Sequence, residues 1–379
     1  MFAAEDDRLE VVGAAGALAE EEFADRACSW QGKFPWENLA MLADHGLVGV
    51  NLPEEYGGRG MDEFTAMAVI EAVGRVCPDT ANALYVSSMV SPRAVDMFGS
   101  EAAKEKYLPP ICAGDRSFSI AISEPAAGSD AGSMRTQVEE DAGDLTISGE
   151  KIWVGYLQQS AAAMVWTRFP DGNLGTVIVD LNAPGIEVLE RYENMAGQIQ
   201  THFRMDDVPV PAGNVLVRGE RAFKRQLRAL NWERLGSATY ANAISRCALE
   251  NALEYARERE QFDQPISEFQ GLRWKLADAT ADLEASRAVA YRAARRAAER
   301  DRVPDRVETN VAKLYSGQVA EEVVSEALQV FGARGYQRGH PLEYLYRLQR
   351  SRRIAAGTDE IVRNTIADQV IEEGLPDLF

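Results

Sequence analysis

Two spacings of hydrophobic residues alternate along the chain. Up to about residue 118, apolar positions recur every three or four residues, the period of an amphipathic helix. FPWENLAMLADHGLVGV carries that period and ends near Gly46 and Gly49. DEFTAMAVIEAVGRV and EAAKEKYLPPICAG repeat it, and the breaker-rich NLPEEYGGRGMD predicts a loop. From about 119 to 222 the pattern turns to alternating, β-rich pieces: TQVEE, DLTISG, EKIWVG, AAMVWTRF, GTVIVDL, IEVLERY and HFRMDDVPV. Turn signals such as DAGD and PDGN separate them. From about 223 the helical period returns in long stretches, LRALNWERLGSATYANAISRCALENALEYARERE, FQGLRWKLADATADLEASRAVAYRAARRAAER and VETNVAKLYSGQVAEEVVSEALQVFG, and EIVRNTIADQVIEE closes the chain. The pattern predicts an α+β multi-domain protein: a helical domain over 1–118, a compact β domain over 119–222 and a helical domain over 223–379.

Length and composition sharpen this. At 379 residues the chain exceeds one ordinary core. No apolar run approaches the roughly 18 residues of a membrane span. The acidic start MFAAEDDRLE does not read as a secretory signal. Cys28, Cys77, Cys112 and Cys247 form no CxxC pair and the chain has 3 His, so no structural metal is expected and a reducing cytoplasm fits. A net charge of -19 argues against nucleic acid and anionic membranes as partners. The 40 basic residues divide into 7 Lys and 33 Arg. An acid-rich, lysine-poor surface suits a halophilic source, and a GC-rich genome gives the same skew. On the halophilic reading stability rises with salt; a stability curve that falls above low molarity removes it.

One carboxylate sits against the pattern. On the helix starting near Leu227, at about 100° per residue, Leu230, Ser237, Ala241, Ile244, Ala248 and Tyr255 share one sector with Glu233. Arg246, Glu250, Glu254 and Arg257 lie opposite. An ionisable group on a small, apolar face is either paired with a buried Arg or a desolvated general base with a raised pKa.

Six boxes then stand in order: NLPEEYGG, FSIAISEPAAGSDAGSMRT, GEKIWVG, REREQFDQPISEFQGLRWKLAD, ALQVFGARGY and IAAGTDEI. Their order and spacing resemble the acyl-CoA dehydrogenase family from end to end. The resemblance implies an N-terminal helical domain, a middle β-barrel-like domain and a C-terminal four-helix bundle. It implies bound FAD, oxidation of an acyl-CoA thioester between Cα and Cβ, electrons passed to an electron-transfer flavoprotein, and a homodimer or homotetramer. There is no Rossmann or GK[ST] phosphate motif, and the family binds FAD without either. Residue by residue, it implies cofactor contacts from Ile122, Ser123, Trp153, Gly155, Gln270, Gln329, Gly332, Thr358 and Glu360. Arg259 and Phe262 match residues that reach a neighbouring subunit's FAD. Ser129 matches a contact to the substrate's pantetheine arm. Many members carry the catalytic Glu directly before the Gly of the last box, where this chain has Ala356 before Gly357. Relatives such as the isovaleryl-CoA and long-chain enzymes place it on the bundle helix instead, and Glu233, with Arg234 beside it on the substrate side, falls on that position. The backbone N–H of Ala356 keeps the role of holding the thioester oxygen.

The chain departs from the family pattern at Gly155, which lacks the usual hydroxyl, at Asp263 where Gly is usual, and at Leu348 where an acid is usual. WER and Gly155 also resemble relatives that oxidise aminoacyl groups on carrier proteins, and other relatives are flavin monooxygenases. Both stand as alternatives.

Overall fold

A computed structural model describes residues 5–300 and 302–376. The chain divides into two compact units. The first gathers the N-terminal segment up to Gln31, Glu63–Asn82 and everything from Glu233 onward; the second is Gly32–Asp62 with Ala83–Trp232.

The second unit is built on an eight-stranded sheet. Its strands are β1 (Ser117–Ala121), β2 (Gln137–Asp141), β3 (Asp144–Gly155), β4 (Ser160–Arg168), β5 (Leu174–Asp180), β6 (Ile186–Glu193), β7 (Ile199–Val210) and β8 (Val215–Val217). The order is β6-β7-β3-β2-β4-β5-β8, with β1 parallel to β4. DLTISG and EKIWVG fuse into the single strand β3, because it pairs along its length with β7 across two register shifts. DAGD makes the β2–β3 turn with Ala142 and Gly143 at φ 51° and 98°, the double left-handed geometry that suits strand twist. PDGN closes β4–β5, with the Phe169 amide donating to the Asn173 carbonyl. Phe118, Met164, Ile178 and Leu216 pack with Leu108 and Tyr107 on one side of the sheet, and Ile147, Val165, Val177 and Phe203 on the other. α2 (Trp36–Asp44), α5 (Ser91–Phe98) and α6 (Glu101–Cys112) belong to this unit.

The NLPEEYGG box folds here as a tight loop around one 3₁₀ turn, Glu54–Tyr56. Its glycines are required by close approach. Gly57 has φ 92°, and a Cβ on Gly58 would lie 2.1 Å from the Leu52 carbonyl oxygen.

The first unit holds α1 (Glu5–Leu18), α3 (Glu63–Gly74), α8 (Gln270–Glu299), α9 (Arg306–Phe331), α10 (Pro341–Gln349) and α11 (Asp359–Glu373). α4 (Pro78–Met89) and the 37-residue α7 (Ala222–Glu258) each contribute to both units. Periodicity missed α10, whose PLEYLYRLQ is short; Pro341 at its first turn and the His340 cap, accepting from the Leu342 amide at 3.2 Å, start it. Leu249, Ala279, Leu283, Val319 and Val323 form the core where α7, α8 and α9 meet. Ionic pairs thread the helices. Glu71 on α3 is buried, meets Arg287 and accepts from Tyr291 Oη at 2.7 Å; buried Glu63 meets Arg302 at 2.7 Å. No helix among the described residues is long and apolar enough to cross a membrane.

The crowding at Gly58 predicts that Gly58→Ala costs about 1–3 kcal/mol of stability. Urea unfolding followed by tryptophan fluorescence checks this.

Candidate active site

α7 is buried on every side from Ala229 to Ser245; it shows solvent faces before that stretch, at Lys224, Arg225 and Arg228, and again from Arg246 onward. Small residues make this possible, since Gly236, Ser237, Ala238, Ala241 and Ala243 let neighbours approach. Glu233 is thus buried together with both its chain neighbours, and the sector argument drawn from periodicity has force only for the second half of the helix.

Glu233 is 8% exposed. Burial pushes its carboxyl up to about 7, against the opposing pull of the Arg234 and Arg352 guanidinium groups. Neither cation overcomes the loss of water. Arg352 lies over the Tyr240 ring at 5.1 Å. Arg234, also buried, turns its Nε to the Ala356 carbonyl at 3.0 Å. The structure therefore brings Arg234, which follows Glu233 on α7, to Ala356 and Gly357, although 122 positions separate Arg234 from Ala356.

The AAGT segment is a left-handed turn. Ala356 and Gly357 have φ 57° and 105°. An Ala there costs roughly 1–2 kcal/mol relative to an ordinary conformation, so surrounding bonds must impose it. Among the described residues, no acceptor meets the amide N–H of Ala356 or Gly357. Thr358 caps α11, its hydroxyl accepting from the Ile361 amide at 3.4 Å. Glu360 is exposed, and its own amide and the Thr358 hydroxyl hold its carboxyl below the usual range. Lys313 of α9 is buried and donates to the Gly357 carbonyl. Burial brings its amine down to about 8; Asp359 opposes this, and Arg352, Arg234 and Arg353 add to it.

In the second unit, Ile122 and Ser123 leave β1 into the SEP loop. The Ser123 carbonyl accepts from the Ile152 amide at 2.9 Å, which sets Ser123 beside Trp153. The loop is fastened from beneath by a buried ion pair that sequence reasoning missed. Lys151 Nζ donates to Glu124 Oε1 and to the Ile122 carbonyl, both at 2.9 Å. Glu124 also accepts from the Arg135 and Thr136 amides at 2.7 and 2.9 Å. Burial pushes Glu124 up, but Thr136, Arg135 and Lys151 outweigh it and the carboxyl stays below its usual range. Burial brings Lys151 down to about 8. Both residues lie inside the boxes SEP and EKIW, and the signal was the rule that buried charges come in pairs.

Trp153 has φ 61° and is 52% exposed, with its ring 4.8 Å from Tyr192. A Cβ on Gly155 would meet nothing within 4 Å, so the missing hydroxyl there is not a packing requirement. Ser129 is exposed in the following loop. An open cradle at Gly155, an uncovered indole and the neighbouring Ser123 hydroxyl fit a planar, hydrogen-bonding ring system.

The third group lies elsewhere. Arg259 and Phe262 sit on a hairpin of β9 (Glu260–Gln261) and β10 (Gln264–Pro265) after α7, and Phe262 is 88% exposed. Phe262 and Asp263 have φ 55° and 63°, which explains why a Gly suits that position. Tyr255 in the last turns of α7 stacks on Phe331 at 4.1 Å, so the end of α9, with Gln329 and Gly332, lies against the end of α7 that leads into the hairpin. Gln270 opens α8 and is exposed. Along α7, 1.5 Å per residue puts this group roughly 38 Å from Glu233. It cannot meet the same small reacting group. Leu348, where an acid is usual, is buried.

The chain thus carries a desolvated carboxylate, Glu233, and an uncovered indole, Trp153, beside a hydroxyl. Residues 5–115, 119–208 and 221–371 match, respectively, the N-terminal, middle and C-terminal domains of acyl-CoA dehydrogenase. The chain belongs to the acyl-CoA dehydrogenase family, whose cofactor is FAD. It is 32% identical to a probable acyl-CoA dehydrogenase, YngJ, of Bacillus subtilis (strain 168), over 94% of this chain and 95% of the relative. It is 34% identical to a 3-sulfinopropanoyl-CoA desulfinase of Paraburkholderia xenovorans (strain LB400), over 99% and 98%. The butyryl-CoA dehydrogenase structure from Megasphaera elsdenii superposes with a TM-score of 0.89 at 28% identity, covering 98% of this chain and 100% of that one.

Two outcomes test the electrostatics. Glu233 has its folded pKa raised, so its contribution is fully present below about pH 4.5 and is lost as pH rises through about 7. Glu233→Gln is therefore expected to be more stable than wild type at pH 8 by roughly 3 kcal/mol, with the difference vanishing near pH 4. Denaturant midpoints across that range measure it. Lys151→Met leaves the Glu124 charge buried alone, and a loss of about 3–5 kcal/mol is expected in the same assay.

Proposed function

We propose that this chain oxidises the Cα–Cβ bond of an acyl-CoA thioester, with Glu233 removing the α-proton and electrons passing to an electron-transfer flavoprotein. The observation that carries this is Glu233, buried, and half ionised near neutral pH because its pKa stands at about 7. A base poised there accepts a proton from carbon more readily than an ordinary carboxylate does, typically for roughly 10²–10⁴-fold in rate. FAD, when bound, would supply the two-electron acceptor for the β-hydrogen as hydride.

This chain's own residues do the rest. The Ala356 N–H holds the thioester oxygen, where charge accumulates as the α-proton leaves. Arg234 keeps Glu233 partly ionised while holding the Ala356 carbonyl. Trp153 would give an aromatic wall for the flavin, with Ile122, Ser123 and the Gly155 backbone beside it; Thr358 and Glu360 are further cofactor contacts that the family pattern implies. Ser129 meets the pantetheine arm. Arg259, Phe262, Gln270, Gln329 and Gly332 serve the cofactor of a second copy of the chain. Their exposure and their distance from Glu233 support a homodimer or homotetramer. The segments 1–118, 119–222 and 223–379 form three domains on this reading. A cytoplasmic, salt-adapted enzyme accords with the acidic composition.

Glu233→Gln is expected to keep yellow, FAD-loaded protein and to lose anaerobic flavin bleaching by acyl-CoA by at least about 10²-fold. Bleaching of the variant at the wild-type rate removes Glu233 as base. A panel of straight and branched acyl-CoAs, 3-sulfinopropanoyl-CoA and pantetheinyl-protein thioesters identifies the substrate. Oxygen-dependent hydroxylation, with no flavin bleaching, contradicts the dehydrogenase reading.

A further inference from the structure

Two consecutive carbonyls of the left-handed turn are gripped from two different helices. Arg234 on α7 donates through Nε to the Ala356 carbonyl at 3.0 Å, and Lys313 on α9 donates through Nζ to the Gly357 carbonyl. Lys313 is 1% exposed, and its surroundings on α9 are the buried Thr309, Asn310, Ala312 and Ser316. A lysine costs too much to bury for packing alone. Its partners here are the main-chain oxygen and the Asp359 carboxylate, 4.0 Å away. Asp359 is itself held by Arg353 Nε at 2.7 Å.

Peptide groups are planar. Fixing the Ala356 and Gly357 oxygens therefore fixes two successive peptide planes. The Ala356 N–H then follows through one residue, whose φ of 57° only the held turn sustains. We infer that Lys313 is a positioning residue: with Arg234 it clamps the turn so that the Ala356 N–H faces the thioester oxygen. This rests on that amide being the oxyanion donor of the proposed reaction.

A 3-oxoacyl-CoA tests the clamp without turnover. Its α-carbon is acidic, and its enolate carries negative charge on the thioester oxygen, so donors to that oxygen favour ionisation. The enolate absorbs in the near ultraviolet and is titrated on the FAD-loaded enzyme. Wild type is expected to ionise the probe more readily than water does. Lys313→Met is expected to weaken that ionisation by about 10–100-fold, the effect of a small misplacement. Affinity for the neutral probe should change by less than about 3-fold, since a neutral carbonyl draws far less on that donor than the enolate oxygen does. Lys313→Arg, which keeps a charged donor, is expected to recover most of the effect. A folded, FAD-loaded Lys313→Met that ionises the probe as wild type does overturns the clamp. A wild type that ionises the probe no better than water removes the amide's role, and the clamp with it. If Lys313→Met fails to fold, Lys313→Gln, a neutral donor that cannot reach as far, gives the same comparison.

Discussion

The site depends on keeping one carboxylate out of water. An ionised group in a protein interior is costly, and the chain lowers the cost at Glu233 only in part. Arg234 and Arg352 pull the carboxyl toward ionisation, while burial on the enclosed stretch of α7 pushes harder the other way. The net result is a group near pH 7 rather than one fixed as an anion. Closer pairing would lower the pKa and weaken the base; no pairing would leave it protonated. The small residues of α7, the continuous burial from Ala229 to Ser245 and the placing of Arg352 over Tyr240 all serve that intermediate condition.

A division of labour follows. On the proposed mechanism the reactive carboxylate stands on α7, and the turn at Ala355 to Thr358 acts through its backbone. That requires a conformation the sequence AAG does not hold unaided, and the cations on α7 and α9 supply the restraint. Arg234 takes part in both arrangements, as electrostatic partner of Glu233 and as anchor of the turn, so neither half can be altered in isolation. The β unit solves a parallel problem. There the half-buried Ser123 of the SEP loop and the exposed Trp153 of β3 rest on the buried charges Lys151 and Glu124.

Much of this was legible in the sequence. Hydrophobic period located α2, α3, α6 and the long helices α7, α8 and α9, and turn chemistry at DAGD and PDGN separated the strands correctly. Glu233 stood out because a carboxylate among small and apolar residues conflicts with its surroundings. What the sequence hid is what depends on distant pairing. Lys313 reads as an ordinary polar position in NVAKLYSG, and its partner lies 44 residues away. Lys151 and Glu124 read as surface charges until the strand register brings them to 2.9 Å. The fusion of DLTISG and EKIWVG into one strand was likewise set by β7, not by local signal.

Exchange of the α-proton tests the central claim most directly, since it reports proton removal apart from hydride transfer. Saturated acyl-CoA is incubated in heavy water with the FAD-loaded enzyme, and deuterium at Cα is followed by mass spectrometry. Wild type is expected to incorporate deuterium at a rate that rises with pH through about 7, in step with the ionisation of Glu233, and Glu233→Gln none above background. Deuterium uptake by Glu233→Gln at the wild-type rate would contradict it.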